Sequence, residues 1–140
     1  MPLYDELLYA ILPKNYPLNG RTLFPLKEFE GKDFLMPYGR FDIDVHAAFG
    51  KAGVKANEQT VYVDDETVIR MVGKGLGISM TSEFMIRGNT DDVQCIPVTP
   101  ECIRELGMGM KKGEEPSDSV KKLKECVLEY VGELKKRKKP

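Results

Sequence analysis

The sequence predicts an α/β fold with a largely parallel or mixed sheet, and three observations carry that prediction. Short apolar or β-branched runs alternate along the 140 residues with amphipathic segments, the order expected when helices cover a sheet. Residues 64–84, DDETVIRMVGKGLGISMTSEF, pass from an acid-capped helix into a strand through three closely spaced glycines, Gly73, Gly75 and Gly77. Right-handed β-α-β crossovers use short loops of this kind. The last segment, residues 117–136, carries Val120, Leu123, Val127, Tyr130 and Leu134 at 3,4,3,4 spacing, which predicts a long helix with one narrow apolar stripe.

Each element follows from local chemistry. Residues 6–12 (ELLYAIL) are short, apolar and stopped by Pro13, a largely buried strand. PKNYPLNGRTLFP is turn-rich, with Asn19-Gly20 its strongest turn signal. Residues 25–29 (PLKEF) are expected to make one helical turn, and 33–36 (DFLM) a second strand ended by Pro37. A helix is expected over 42–52, where Val45, Ala48 and Phe49 share a face and Gly50 and Gly53 supply the stop. Residues 58–63 (EQTVYV) read as a β-branched, aromatic strand.

Asp64 then suits an N-cap, and Asp65 and Glu66 complement the helix dipole in the first turn. Val68, Met71 and Val72 form that helix's expected buried stripe. A strand is expected at 78–81, a short helix opened by Ser82 and closed at Gly88, and two strands at 93–98 and 103–110. Ser117, after Pro116, caps the final helix. Its stripe is expected to find cover on the rest of the fold or on a second copy of the chain.

Composition removes several function classes. The net charge is −1, which provides no global field for nucleic acid or an anionic membrane. No run of about 18 apolar residues occurs, so no span is expected. Asp5 and Glu6 interrupt the apolar start, against a signal peptide. Cys95, Cys102 and Cys126 are odd in number and lack C-x-x-C spacing, which reads as reduced thiols of a cytoplasmic protein. No Walker loop, H-E-x-x-H or G-x-S-x-G is present. GKGLG ends a helix, whereas a dinucleotide fingerprint must open one. His46 is the one histidine and cannot assemble a metal site with scattered carboxylates, so no metal or other cofactor is expected and His46 reads as structural or interfacial. Cys95, in the apolar run VQCIPV, has no orienting base and reads as an inert thiol. The chain is therefore not expected to be an enzyme.

The segment VDDETVIRMVGKGLGISMTSEF resembles the effector-sensing region of LysR-type transcriptional regulators, whose helix end reads V-x-x-G-x-G-I; here Val72, Gly75, Gly77 and Ile78 match. Three further stretches fall in the same order. ELLYAILPKNYPL resembles the crossover strand, with Tyr16 where histidine is common, and LKEFEGKDFLMP resembles the approach to the next strand. RELGMGMKKGEEPSDSVKKLKECVLEYV resembles the return strand and closing helix. The resemblance implies a lobe of a type 2 periplasmic-binding-protein-like fold: residues 1–13 as crossover strand, 14–99 as second effector-binding lobe, and 100–140 as return strand and C-terminal helix. It also implies that the first lobe and the winged helix-turn-helix are missing, so that DNA is reached only through a domain absent here. A homodimer and a small-molecule effector are the implied partners.

Effectors in such folds sit at strand carboxyl ends and helix N-termini. One candidate loop is Tyr38-Gly39-Arg40: Gly39 admits close backbone approach, Arg40 can grip a carboxylate with two prongs, and Tyr38 offers a hydroxyl or ring face. The plain alternative is a surface turn with a solvated arginine. The other loop is Val63-Asp64-Asp65, whose carboxylates either contact ligand or simply cap the helix. Three carboxylates there would repel an anion unless Arg40 offsets them, so an amino-bearing or neutral polar effector fits as well as an organic acid. Thr81, at a strand end, either presents its hydroxyl to the cleft or is structural. A solute-binding component of a transporter, or a stand-alone binding module, is the alternative function. The basic tail KKRKKP complements the helix dipole and is expected to be solvated.

Overall fold

Alternation of apolar and polar residues along the first strand, and the turn chemistry after it, set the frame of the molecule. The computed structural model describes residues 1–39, 41–88 and 90–138. In chain order the elements are β1 (Pro2–Pro13), β2 (Phe24–Pro25), a 3-10 turn (Leu26–Phe29), β3 (Asp33–Pro37), α1 (Phe41–Ala52), β4 (Asn57–Val61), α2 (Asp65–Gly73), β5 (Ser79–Ser82), β6 (Val93–Thr99), β7 (Ile103–Gly107) and α3 (Asp118–Lys138). They divide into two units, Glu6–Arg104 and the smaller Met1–Asp5 with Glu105–Pro140.

The larger unit holds a mixed sheet in the order β2-β6-β1-β5 and a separate parallel pair, β3-β4. β1 runs antiparallel to β5 and to β6, while β2 pairs with β6 in parallel and β3 with β4 in parallel. A parallel bridge between Phe34 and Ile78 sets the start of β5 beside β3. Two apolar cores pack around these strands. Leu8, Ala10 and Leu12 of β1 pack with Phe24, Phe29, Phe34, Val45 and Phe49 on the α1 face. Ile11 and Leu35 pack with Val68, Ile69 and Val72 on the α2 face. The period-2 side-chain alternation of a strand is what sends neighbouring residues of β1 to different cores. Edge-to-face rings, such as Phe29 on Phe34 at 5.4 Å, lock the α1-side core.

The helix-to-strand passage explains its own glycines. Asp64 caps α2, its Oδ1 accepting from the Thr67 N–H at 2.8 Å. At the far end Leu76 N–H donates to Met71 O at 3.2 Å and Gly75 N–H to Val72 O at 2.9 Å. That pair of bonds is the Schellman closure, and it needs the left-handed conformation Gly75 adopts, with φ +79°. Gly77 then passes so near β3 that a Cβ there would meet Asp33 O at 2.9 Å. The Asn19-Gly20 turn also forms, closed by Arg21 N–H to Leu18 O at 3.0 Å.

Four local expectations differ from the structure. Residues 83–88 form successive turns, and Ser82 ends β5 as a buried strand residue. The buried side of α2 includes Ile69, with Met71 half-buried, because the helix settles its 68–69–72 face on the sheet. β4 ends at Val61, leaving Tyr62 and Val63 in the loop. β7 stops at Gly107, where a Cβ would meet Met1 O at 3.1 Å.

In the smaller unit, Met108 N–H donates to Met1 O at 2.8 Å, and the Lys138 ammonium lies over the Tyr4 ring and donates to Asp5 O at 3.1 Å. Ser117 caps α3 through its hydroxyl, which accepts from the Val120 N–H at 3.4 Å. Of the 3,4,3,4 stripe only Leu134 is buried; Val120, Leu123 and Tyr130 are exposed.

Candidate functional site

Parallel pairing of β3 with β4 carries two loops to the same end of the sheet. Pro37 lies opposite Val61, and the Tyr38 N–H donates to Val61 O at 2.9 Å. The loops at Tyr38-Gly39 and Tyr62-Asp64 are therefore neighbours at the strand carboxyl ends. Tyr38 and Tyr62 stack there, ring centroids 4.9 Å apart at 36°, and both are largely in solvent, 67% and 79% exposed. Tyr62 was not among the residues singled out in the sequence. Its signal was its place next to Val63, one residue into the same loop. Gly39 has φ +132°, a backbone that a side chain disfavours. Arg40 lies outside the described residues.

The two aspartates have different environments. Asp64 accepts the Thr67 N–H, and that bond holds its carboxyl below the usual range. Asp65 is half-buried, and burial raises its pKa; the Arg104 guanidinium opposes that rise and the Asp64 charge adds to it. Thr81, in β5, is 4% exposed, and its Oγ1 is buried without a hydrogen-bond partner among the described residues.

A charged cluster that sequence reading missed joins β1, β5 and β7. Glu6 is fully buried on the inward face of β1. Arg104 Nε donates to Glu6 Oε1 at 2.6 Å, and a guanidinium Nη2 donates to the same oxygen and to Ser82 Oγ at 3.2 Å. Phe84 N–H donates to the other carboxylate oxygen at 3.2 Å. The available signal was a lone carboxylate on the apolar face of one strand and a lone guanidinium in IREL. Two opposite charges at inward strand positions satisfy the rule that buried ions are paired.

Other candidates resolve as bonded or inert groups. His46 sits exposed on α1 and its Nε2 is 2.9 Å from Glu58 Oε2 of β4. Among the described residues no cluster of three or more His, Cys, Asp or Glu could hold a metal ion. Burial pushes the Cys95 thiol up to about 11 and raises Cys102 as well, away from nucleophilic readiness. No helix among the described residues is long and apolar enough to cross a membrane.

A cavity of about 230 Å³ lies elsewhere, beside α1, between Ala47, Ala48 and Lys51 and the Pro100–Cys102 turn. The strand-end surface is open by comparison. We place the candidate site at the strand ends because polar groups, backbone amides and a helix N-terminus converge there.

Comparison with known proteins agrees with this architecture. The LysR substrate binding domain family matches residues 1–132. The transcriptional regulator YybE of Bacillus subtilis, of the helix-turn-helix type, is 26% identical over 133 residues. That match takes in 94% of this chain and 46% of YybE, so the chain spans less than half the length of that relative. Among solved structures, the Synechocystis CcmR regulatory domain in complex with 2-PG superposes with a TM-score of 0.81 at 17% identity, over 94% of this chain and 65% of that one. The effector-binding domain of QuiR in complex with shikimate gives 0.82 at 17%, over 95% and 65%. Full-length BenM gives 0.81 at 19% identity, over 94% and 46%. At these identities the superpositions establish the fold, and the family match establishes descent: this chain belongs to the LysR substrate-binding domain family.

Proposed function

We propose that the chain is the effector-sensing lobe of a LysR-type regulator, with residues 14–99 as the second lobe, 1–13 as the crossing strand, and 100–140 as return strand and closing helix. A small polar metabolite binds at the carboxyl ends of β3 and β4, against Tyr38, Gly39, Arg40, Val63, Asp64, Asp65 and Thr81. Binding favours one arrangement of the sensing region over another and so biases a DNA-binding domain supplied outside this chain. The regulator works as a cytoplasmic homodimer, and no bond of the effector is made or broken.

One observation carries the reading: two loops distant in sequence meet at the end of one parallel strand pair, bonded from Tyr38 N–H to Val61 O. A ligand can lie across both, near the Tyr38 and Tyr62 rings and the α2 N-terminus into which the second loop leads. The side chains converging there are mainly neutral or acidic, so an effector with an amino or several hydroxyl groups suits the surface. Since a ligand shifts an equilibrium only by its differential affinity, the relay requires tighter binding to one arrangement.

The test is a heteronuclear NMR titration of the chain with amino- and hydroxyl-bearing metabolites, using shikimate as a reference compound. Shifts are expected at Tyr38, Tyr62, Asp64 and Thr81, and Tyr38→Ala is expected to abolish them. A ligand whose shifts map to the α1 cavity instead would move the site.

A further inference from the structure

We propose that the cavity beside α1 is a second small-molecule site, shaped for a linear ω-amino acid whose ammonium meets Asp44 and whose carboxylate meets Lys51. This inference is independent of the effector reading, because no residue of the strand-end loops lines the cavity. Every lining residue belongs to the unit Glu6–Arg104.

The hollow follows from the sequence of α1. Ala47, Ala48 and Lys51 lie three, four and seven residues after Asp44, so one helical face carries all four. The alanines in the middle of that face leave space that longer side chains would fill. Leu8 and Leu26 line the cavity as buried apolar residues, and the Pro100–Cys102 turn lines it across from α1. Its volume of about 230 Å³ matches the liquid share of about eight waters, enough for a short alkyl chain with two polar ends.

Charge selects the ligand. Seven residues of helix set the Asp44 and Lys51 backbones roughly 10 Å apart along the axis. A chain of five methylenes with an ammonium at one end and a carboxylate at the other is somewhat shorter, which leaves room for a hydrogen bond at each end. Neither Asp44 nor Lys51 has an ion pair or hydrogen bond with another side chain among the described residues, so both are available. Glu101 adds a second carboxylate to the lining, so two negative charges face one positive charge. That balance favours the cationic end of the ligand and rejects a plain carboxylic acid. An apolar body with a few placed polar groups is the usual make-up of a small-ligand pocket.

Cys102 reports on occupancy. Its thiol lines the cavity, is half-buried and donates to Pro100 O at 3.5 Å. Burial raises that thiol's pKa, and the Lys51 ammonium is close enough to oppose the rise. A carboxylate bound at Lys51 therefore lies near the sulfur.

Three probes separate the contributions: 6-aminohexanoate, pentylamine, which lacks the carboxylate, and hexanoate, which lacks the amine. In a heteronuclear NMR titration 6-aminohexanoate is expected to bind with a Kd of about 1 mM and to shift Ala47, Ala48, Lys51 and Cys102. Pentylamine should bind about fivefold more weakly, and hexanoate should not bind. Asp44→Asn should weaken both amines. Lys51→Gln should reduce 6-aminohexanoate to the level of pentylamine without weakening pentylamine itself. Ala47→Phe, at an exposed lining position, should fill the hollow and abolish binding with far-UV circular dichroism unchanged. Saturating 6-aminohexanoate should protect Cys102 from iodoacetamide. Tyr38→Ala should leave all of these results intact, which separates this site from the strand ends. The proposal is overturned if 6-aminohexanoate shifts nothing at tens of millimolar, if hexanoate binds equally well, or if Asp44→Asn has no effect. Shifts that fall at Tyr38 and Asp64 instead, and vanish with Tyr38→Ala, overturn it too.

Discussion

Glu6 shows what one side chain contributes when it is placed against expectation. A carboxylate with no exposed surface is tolerated because Arg104 and the Phe84 N–H share its charge. Arg104→Ala removes the counter-charge and is expected to cost about 3 kcal/mol in urea-unfolding free energy. The double change Glu6→Leu with Arg104→Met should recover most of that loss, since an apolar pair carries no desolvation penalty. If the double variant is as unstable as the single one, the cluster has a role beyond mutual neutralisation. Cys95 makes a second residue-level claim. With its thiol pushed up to about 11, roughly one molecule in ten thousand carries the thiolate at neutral pH. Alkylation should therefore label exposed Cys126 first and reach Cys95 appreciably only above about pH 10. Rapid labelling of Cys95 at neutral pH would reopen the thiol chemistry that the structure disfavours.

At the scale of one element, α2 is held by its ends as much as by its buried face. Asp64 and Asp65 are adjacent yet titrate in opposite senses. The lowered pKa of Asp64 contributes stability at pH above its unfolded value, and that contribution disappears as pH falls through the folded value. The raised pKa of Asp65 does the reverse: charging it costs stability once pH rises above the unfolded value, in full above the folded one. Thermal melts between pH 3 and pH 7 should therefore show Asp64→Ala losing more at pH 7 than at pH 3, and Asp65→Asn gaining at pH 7 alone. Equal effects at both ends of the range would refute the assignment. At the other end of α2, Gly77→Ala drives a Cβ against Asp33 O and Leu35 and is expected to destabilise by about 2 kcal/mol. Gly50→Ala, which meets nothing within 4 Å and lies in α1, should be neutral or stabilising by comparison.

For the whole molecule, the family match covers residues 1–132 and the superpositions take in 65% of the CcmR and QuiR chains. At this scale the effector site makes a prediction of its own. Tyr38→Ala should abolish metabolite-induced NMR shifts and leave the sedimentation mass unchanged.

Much of this was legible in the sequence because the signals are local. An Asp before an apolar helix, glycines where the chain must turn left-handed, and runs of two distinct periods are each decided within a few residues. The order of elements, the α2 cap and the loops at the two strand ends follow from them. The remainder depended on pairing across the chain, which no short window contains. Glu6 and Arg104 are 98 residues apart and meet only because β1 and β7 do. Ser82 looked like a helix cap because serine caps helices, but pairing with Leu8 of β1 drew it into a strand. Tyr38 and Tyr62 stack only because β3 and β4 pair in one register. The stripe on α3 was visible as a pattern, but the pattern did not say that Leu134 would be its buried member. Burial is a property of the surroundings, and the sequence of one helix does not contain them.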